Sequence, residues 1–180
     1  MARGSMTPTD ERFPIGKFTP VAALTPAERN ARIDQIAAAP ANFRKAVAGL
    51  SDQQLDTPYR AGGWTVRQVA HHLPDSHMNA YMRFKWGLTE DTPAIKTYEE
   101  KDWARTPETS APIAFSLDLL TSLHERWITL LRGMAPADFA RKIKHPEMGL
   151  IPLDNLLALY SWHGRHHTAH VTSLRERMGW

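Results

Sequence analysis

The 180-residue sequence contains no cysteine. Disulfides, thiolate metal sites and a cysteine nucleophile are therefore excluded, and any metal ion must be held by nitrogen and oxygen ligands. No apolar run approaches the ~20 residues of a membrane span, and the N-terminus lacks the apolar stretch of a secretory signal. The net charge is only +3, with basic and acidic residues interleaved. We therefore expect a cytoplasmic protein with no nucleic-acid and no membrane partner.

Motifs for several enzyme classes are also missing. No G-x-S-x-G, P-loop or dinucleotide-binding glycine motif occurs, so a serine hydrolase, a nucleotide-dependent enzyme and a Rossmann fold have no support. What remains is an ordinary globular composition, with 42% hydrophobic and 23% charged residues. A chain of this length is large enough to bury one full core.

Helical periodicity and capping signals predict an all-α protein, a four-helix bundle. Thr25 precedes Pro26 as an N-cap, and Thr65 stands in capping-box spacing with Gln68. Pro40 is expected to kink or interrupt the first helix. We predict long helices at about 25–49, 65–88, 112–134 and 153–178, an extended N-terminal arm over 1–24, and one domain over 25–180. A long connection over 89–111 and a small hairpin before the last helix complete the prediction.

The last predicted helix carries four histidines in the run WHGRHHTAHV: His163, His166, His167 and His170. Histidines four residues apart lie on the same side of a helix, and such a pair can bind one metal ion. His163, His167 and His170 fall on the face that should be buried, where imidazoles without partners are costly. A bound cation would remove that cost, whereas a surface cluster would bind metal only adventitiously. A third ligand on another segment decides between the two.

The second helix offers His71, His72 and His77 for this role. With Leu73 as the centre of the buried face, steps of about 100° per residue place His77 about 40° away, His72 about 100° and His71 about 160°. Periodicity thus disfavours His71 and leaves the other two open, although His77 is better explained as a core histidine bonded to a neighbour. Pro74 interrupts the helical hydrogen bonds here and predicts a bend.

Two segments resemble the signature regions of the DinB-like superfamily: GGWTVRQVAHHLPDSHMNAYMRFKWGLTE and YSWHGRHHTAHVTSLRERMGW. More narrowly, they resemble its YfiT group of metal-dependent hydrolases, which is related to bacillithiol transferases. The resemblance implies a four-helix bundle that binds one divalent ion per subunit through three histidines, zinc first and nickel as the alternative, in a homodimer. Matched by motif, the ligands fall on His72, His163 and His167.

Three neutral ligands leave the ion its full charge and an open position, as in catalytic sites. We therefore expect a hydrolase of an unidentified small molecule that uses a water or hydroxide on the ion, since a water bound to such an ion has a pKa of about 7. The alternatives are a thiol S-transferase acting on a bacillithiol-like thiol, and a non-catalytic metal-binding bundle of the damage response. Asp75 and His170 are the candidates for catalytic groups.

Overall fold

The computed structural model describes residues 10–180, so the first nine residues of the predicted arm lie outside the described part. Four long helices form the body, α1 (Pro26–Val47), α3 (Val66–Thr89), α5 (Ala114–Gly133) and α6 (Leu153–Met178). Two short helices, α2 (Asp52–Leu55) and α4 (Glu100–Trp103), lie in the connections, and a hairpin of β1 (Lys142–His145) and β2 (Gly149–Pro152) precedes α6. The predicted four-helix bundle with a hairpin is confirmed.

The helix ends lie where local chemistry satisfies free backbone groups. Thr25 and Thr65 form full capping boxes with Glu28 and Gln68, which pair N–H groups that the first turn leaves free. At the other end of the chain, Gly179 stops α6 with a left-handed φ of 70°, a conformation that costs glycine little.

The helices continue through both internal prolines. Pro40 lies within α1 and Pro74 within α3, and neither ends its helix. Of the two outcomes expected at Pro40, the interruption is therefore wrong, and the kink stays a prediction. Pro40 is buried, and α1 packs along both α5 and α6. Such packing compensates for the hydrogen bond that a proline removes.

The core consists of two hydrophobic clusters at opposite ends of the bundle. One is centred on Phe84, Trp127 and Leu156, and the other on Phe43 and Leu120. Between them, the inward faces of α3, α5 and α6 carry buried or half-buried imidazoles, which we call the histidine layer. Its members are His72, His77, His124, His163, His167 and His170.

The 89–111 connection is folded across the bundle. Ala94 pairs in parallel with Lys144 of β1, and the backbone N–H of Ile95 donates to the Lys144 carbonyl at 3.1 Å. The connection then forms α4 and a 3₁₀ turn over Pro107–Ser110. This path carries Glu100 and Lys101 to the histidine layer.

Residues 10–24 contain no helix or strand and run antiparallel to α6. The backbone N–H groups of Leu24 and Val21 donate to the side chains of Asp154 and Asn155 at the start of α6. Further along α6, the Trp162 indole donates to the carbonyl of Gly16 at 3.2 Å. Within residues 10–180, no helix has the length and apolar character needed to cross a membrane.

Candidate metal centre

Three histidines from two facing helices meet in the histidine layer. His72 comes from α3, and His163 and His167 lie one turn apart on α6. One ring nitrogen of each lies within 4.8 Å of those of the other two. The Nε2 atoms of His72 and His163 are 3.4 Å apart. We call these three residues the histidine site.

The donor set suits a divalent ion in both distance and protonation. Two nitrogens at 2.0–2.1 Å from a tetrahedral zinc ion are roughly 3.4 Å apart, which matches the separation of the His72 and His163 Nε2 atoms. Burial lowers the pKa of His72 to about 4, and it holds the pKa values of His163 and His167 well below the ordinary value of 6.5. All three rings are therefore neutral near pH 7, the form that binds metal.

Two further histidines contact the histidine site from behind. His77 Nε2 lies 3.0 Å from His163 Nδ1, and His170 Nδ1 lies 3.4 Å from His167 Nδ1. The ring of Tyr59 stacks on that of His170 at a centroid distance of 3.9 Å and an angle of 13°. These contacts lie on the Nδ1 side of His163 and His167, away from the remaining ring nitrogen of each.

Two cavities open onto the histidine site. The first, of about 640 Å³, is lined by all three of its histidines together with Arg60 and Arg105. The second, of about 480 Å³, is lined by His163, Ser76 and Arg83 among others. Glu100, Lys101 and His163 belong to the walls of both cavities. A larger open groove of about 740 Å³ between α1 and α6 contains none of the histidines and offers no comparable chemistry.

The structure brings His170 to the site but not Asp75. His170 lines the first cavity and contacts His167. Asp75 lines neither cavity; burial raises the pKa of its carboxyl to about 6, and Glu108 contributes to that rise. The catalytic role expected of Asp75 stays a prediction, and the lining of neither cavity supports it. Asp75 follows His72 by about one helical turn, but this spacing does not bring its side chain to the cavity that His72 lines.

Two other histidines, His71 and His166, lie outside the histidine layer. His71 is buried, with Nδ1 2.7 Å from Ser116 Oγ and Nε2 3.1 Å from the Ala111 carbonyl. Periodicity placed it near the back of its helix, but Ala111 and the first turn of α5 cover that side. His166 lines the first cavity, stacks on Trp162 at 4.1 Å and belongs to no ligand set.

Sequence reasoning overlooked Glu100 and His124. Glu100 is the carboxylate shared by both cavities, and desolvation raises its pKa. It lies in the KTYEEKDWA stretch of the long connection, where helical periodicity could not place it. His124 is buried on α5 and contacts His77. The available signal was a lone histidine in an otherwise apolar helix.

Comparison with known proteins places the chain in one family. The family model of the DinB superfamily matches residues 35–171. A relative from Bacillus mycoides is 51% identical over 171 residues, which cover 95% of this chain and 99% of the relative. A relative from Bacillus cereus is 50% identical with the same coverage. Both are named "Putative metal-dependent hydrolase".

A solved structure shows the same architecture. YfiT from Bacillus subtilis, described as a probable metal-dependent hydrolase with an unusual four-helix bundle topology, aligns with a TM-score of 0.92 and 48% identity. The alignment covers 94% of this chain and 98% of that one. The expected resemblance to the superfamily and its YfiT group is confirmed.

Proposed function

The chain belongs to the DinB superfamily, and from that premise we propose that it is a metal-dependent hydrolase of a small molecule. One observation carries the proposal: three neutral imidazoles on two facing helices converge at the wall of a cavity. His72, His163 and His167 would hold one divalent ion, with zinc preferred and nickel the alternative. When bound, such an ion acts as a Lewis acid toward a carbonyl or a water.

The chain itself supplies a base for this reaction. Glu100 borders both cavities beside His163, and its raised pKa brings the carboxyl closer to the neutral pH at which a base must accept a proton. Ser76 Oγ lies 3.5 Å from His163 Nε2 and offers a hydroxyl for orienting substrate in the second cavity. We therefore assign the role of base to Glu100 in place of Asp75.

The cavity wall favours a small substrate that carries negative charge. Arg60, Lys101 and Arg105 line the first cavity, whereas Glu100 is its only carboxylate among the described residues. An excess of cationic groups around a cavity concentrates anions there. The volume of about 640 Å³ suits a small organic molecule. We further propose that the protein acts as a homodimer and has no nucleic-acid or membrane partner.

Metal binding tests the shared premise. We expect the purified chain to bind about one equivalent of zinc or nickel by isothermal titration and elemental analysis. Alanine at His72 or His163 should reduce that content to near zero, because two imidazoles remain. His71→Ala is the matched control, since the neighbouring histidine lies outside the site. Equal metal content in His72→Ala and His71→Ala would refute the site.

The reaction is tested on metal-loaded protein with paired anionic and neutral esters and amides. We expect hydrolysis, faster for the anionic members, and a decrease of kcat by about 100-fold or more in Glu100→Gln with metal content unchanged. Asp102→Asn, on the same short helix but in neither cavity wall, should retain wild-type kcat. Conjugation of an added thiol to an electrophile, without hydrolysis, would replace hydrolase by S-transferase.

A further inference from the structure

A chain of hydrogen bonds joins His163 to the backbone on the far side of the bundle. His163 Nδ1 lies 3.0 Å from His77 Nε2, and His77 Nδ1 lies 2.7 Å from His124 Nε2. His124 Nδ1 in turn lies 2.8 Å from the Ile36 carbonyl oxygen of α1. His77 and His124 are almost fully buried, so water does not compete for these nitrogens.

The backbone carbonyl determines the direction of every proton in this chain. A carbonyl oxygen only accepts, so the Nδ1–H of His124 donates to it. The nitrogens of both rings contact only other imidazoles or a backbone carbonyl. Burial among such uncharged groups disfavours the charged form, so each ring carries a single proton near pH 7. His124 Nε2 must then accept from His77 Nδ1–H, and His77 Nε2 must accept from His163 Nδ1–H. The Nε2 atom of His163 is left without a proton.

A second, shorter chain applies the same logic to His167. His170 Nε2 lies 3.3 Å from the Arg12 carbonyl oxygen, and His170 Nδ1 lies 3.4 Å from His167 Nδ1. The carbonyl again only accepts, so His170 donates from Nε2 and accepts at Nδ1. His167 then carries its proton on Nδ1. These contacts are longer and accordingly weaker than those of the first chain.

We propose that His77, His124 and His170 are positioning residues that hold the proton of His163 and of His167 on Nδ1, so that both present a bare Nε2 to a divalent ion. This inference deepens the proposed metal centre and rests on it for its purpose. A buried histidine that served packing alone would need only one hydrogen-bond partner, and the direction of that bond would not matter. Here each hydrogen-bond chain ends on a backbone carbonyl that only accepts, and the resulting direction leaves Nε2 of His163 and of His167 free.

The proposal has a measurable consequence for affinity. Hydrogen-bond partners of metal-ligating histidines typically contribute 10–100-fold to metal affinity, because they determine tautomer and ring orientation. The second chain also joins the 10–24 segment to His167, since its acceptor is the carbonyl of Arg12. Zinc affinity should therefore respond to groups that never touch the ion.

Nitrogen-15 NMR of the metal-free full chain tests the assignment directly. In long-range proton–nitrogen spectra at pH 7.5, we expect His163 and His167 to show a protonated Nδ1 and an unprotonated Nε2. The tautomer is read without metal, so it is decided even if the wild-type chain binds no ion, an outcome that would overturn the proposed function instead. A protonated Nε2 on either residue would overturn the inference for the hydrogen-bond chain that ends on that residue.

Variants of His77 supply the second readout, the zinc dissociation constant from competition with a chromogenic chelator. We expect His77→Phe to weaken zinc binding 10–100-fold, and His77→Gln, whose amide both donates and accepts, to recover most of it. His71→Phe removes a buried histidine of the same helix that has no path to the site, and it should stay within threefold of wild type. A folded His77→Phe with wild-type zinc affinity would contradict the inference. If His77→Phe does not fold, the tautomer of His163 in His77→Gln replaces it as the test, and an unprotonated Nδ1 there would contradict the inference.

Discussion

Acid should destabilise the metal-free protein, and His124 allows the effect to be measured at one residue. Burial lowers the pKa of this side chain to about 4, although its hydrogen bond to the Ile36 carbonyl acts in the opposite direction. In the unfolded chain the same imidazole titrates near 6.5. Between these two values, the unfolded state binds a proton that the folded state excludes. Stability is therefore fully present above pH 6.5 and is lost as the pH falls toward 4.

The size of the effect follows from the two pKa values. At pH 5 the unfolded residue lies 1.5 units below its pKa, while the folded residue is still mostly neutral. At 1.36 kcal/mol per unit, His124 alone should lower the free energy of unfolding by about 2 kcal/mol between pH 7 and pH 5. Protonated His124 carries a proton on Nε2 and cannot accept there from His77, so protonation also breaks the hydrogen bond between these two residues.

The assay is urea unfolding of the wild type and of His124→Gln, in excess chelator, at pH 7, 6 and 5. The variant should be less stable at pH 7, because it replaces a fitted buried ring, but it should lose about 2 kcal/mol less on acidification. Buried histidines that do not contact His124 contribute equally to both proteins, so their effect cancels in the difference. The glutamine side chain keeps a hydrogen-bonding group for His77, which does contact His124. Parallel losses in wild type and variant would show that His124 is not kept neutral by burial and would refute the reasoning.

Two further predictions concern stability. Asp154 is almost fully buried and pairs with Arg29 at 2.7 Å, so Asp154→Asn should lower the free energy of unfolding by about 3 kcal/mol. Asp34→Asn, in an exposed ion pair, should change it by less than about 1 kcal/mol. Equal effects of the two substitutions in chemical denaturation would contradict a stabilising role for the buried pair. Gly164→Ala would place a Cβ 3.0 Å from the Cβ of Ala39. The resulting overpacking should outweigh the gain in helix propensity and lower the melting temperature, with a net cost in stability of about 1–2 kcal/mol. An unchanged or higher melting temperature would refute the close contact.

The bundle itself could be predicted because its signals are local. Capping boxes at Thr25 and Thr65 and the glycine at 179 depend on residues three or four positions apart, and these ends appear where expected. The apolar stripe predicted for α5 is only partly buried. Phe115 and Leu119 have helical core spacing, yet they are 68% and 46% exposed. Periodicity finds a face, but it does not show whether another element covers it.

The histidine site shows the same division between spacing and packing. The pair His163 and His167 was evident from its i, i+4 spacing. Angular position on α3 left His72 and His77 open, and only the resemblance to a family chose between them. The structure shows why both belong to the layer: His72 lies 3.4 Å from His163 at Nε2, while His77 contacts the opposite nitrogen of the same ring. A helical wheel cannot separate these roles, because they differ by the side of the ring that is approached.

The sequence by itself determined the available donor atoms, the four helices and the pairing of two histidines on one face of a helix, since these follow from composition and short-range periodicity. Only the tertiary structure decided which carboxylate borders the histidine site and which further histidines contact it. Glu100 arrives on a folded connection, and His124 and the Arg12 carbonyl arrive from elements far away in the chain. Hydrogen bonds and cavities form between surfaces whose separation along the sequence carries no periodicity. The absence of cysteine left nitrogen and oxygen as the possible donor atoms, and the fold determined which imidazoles meet.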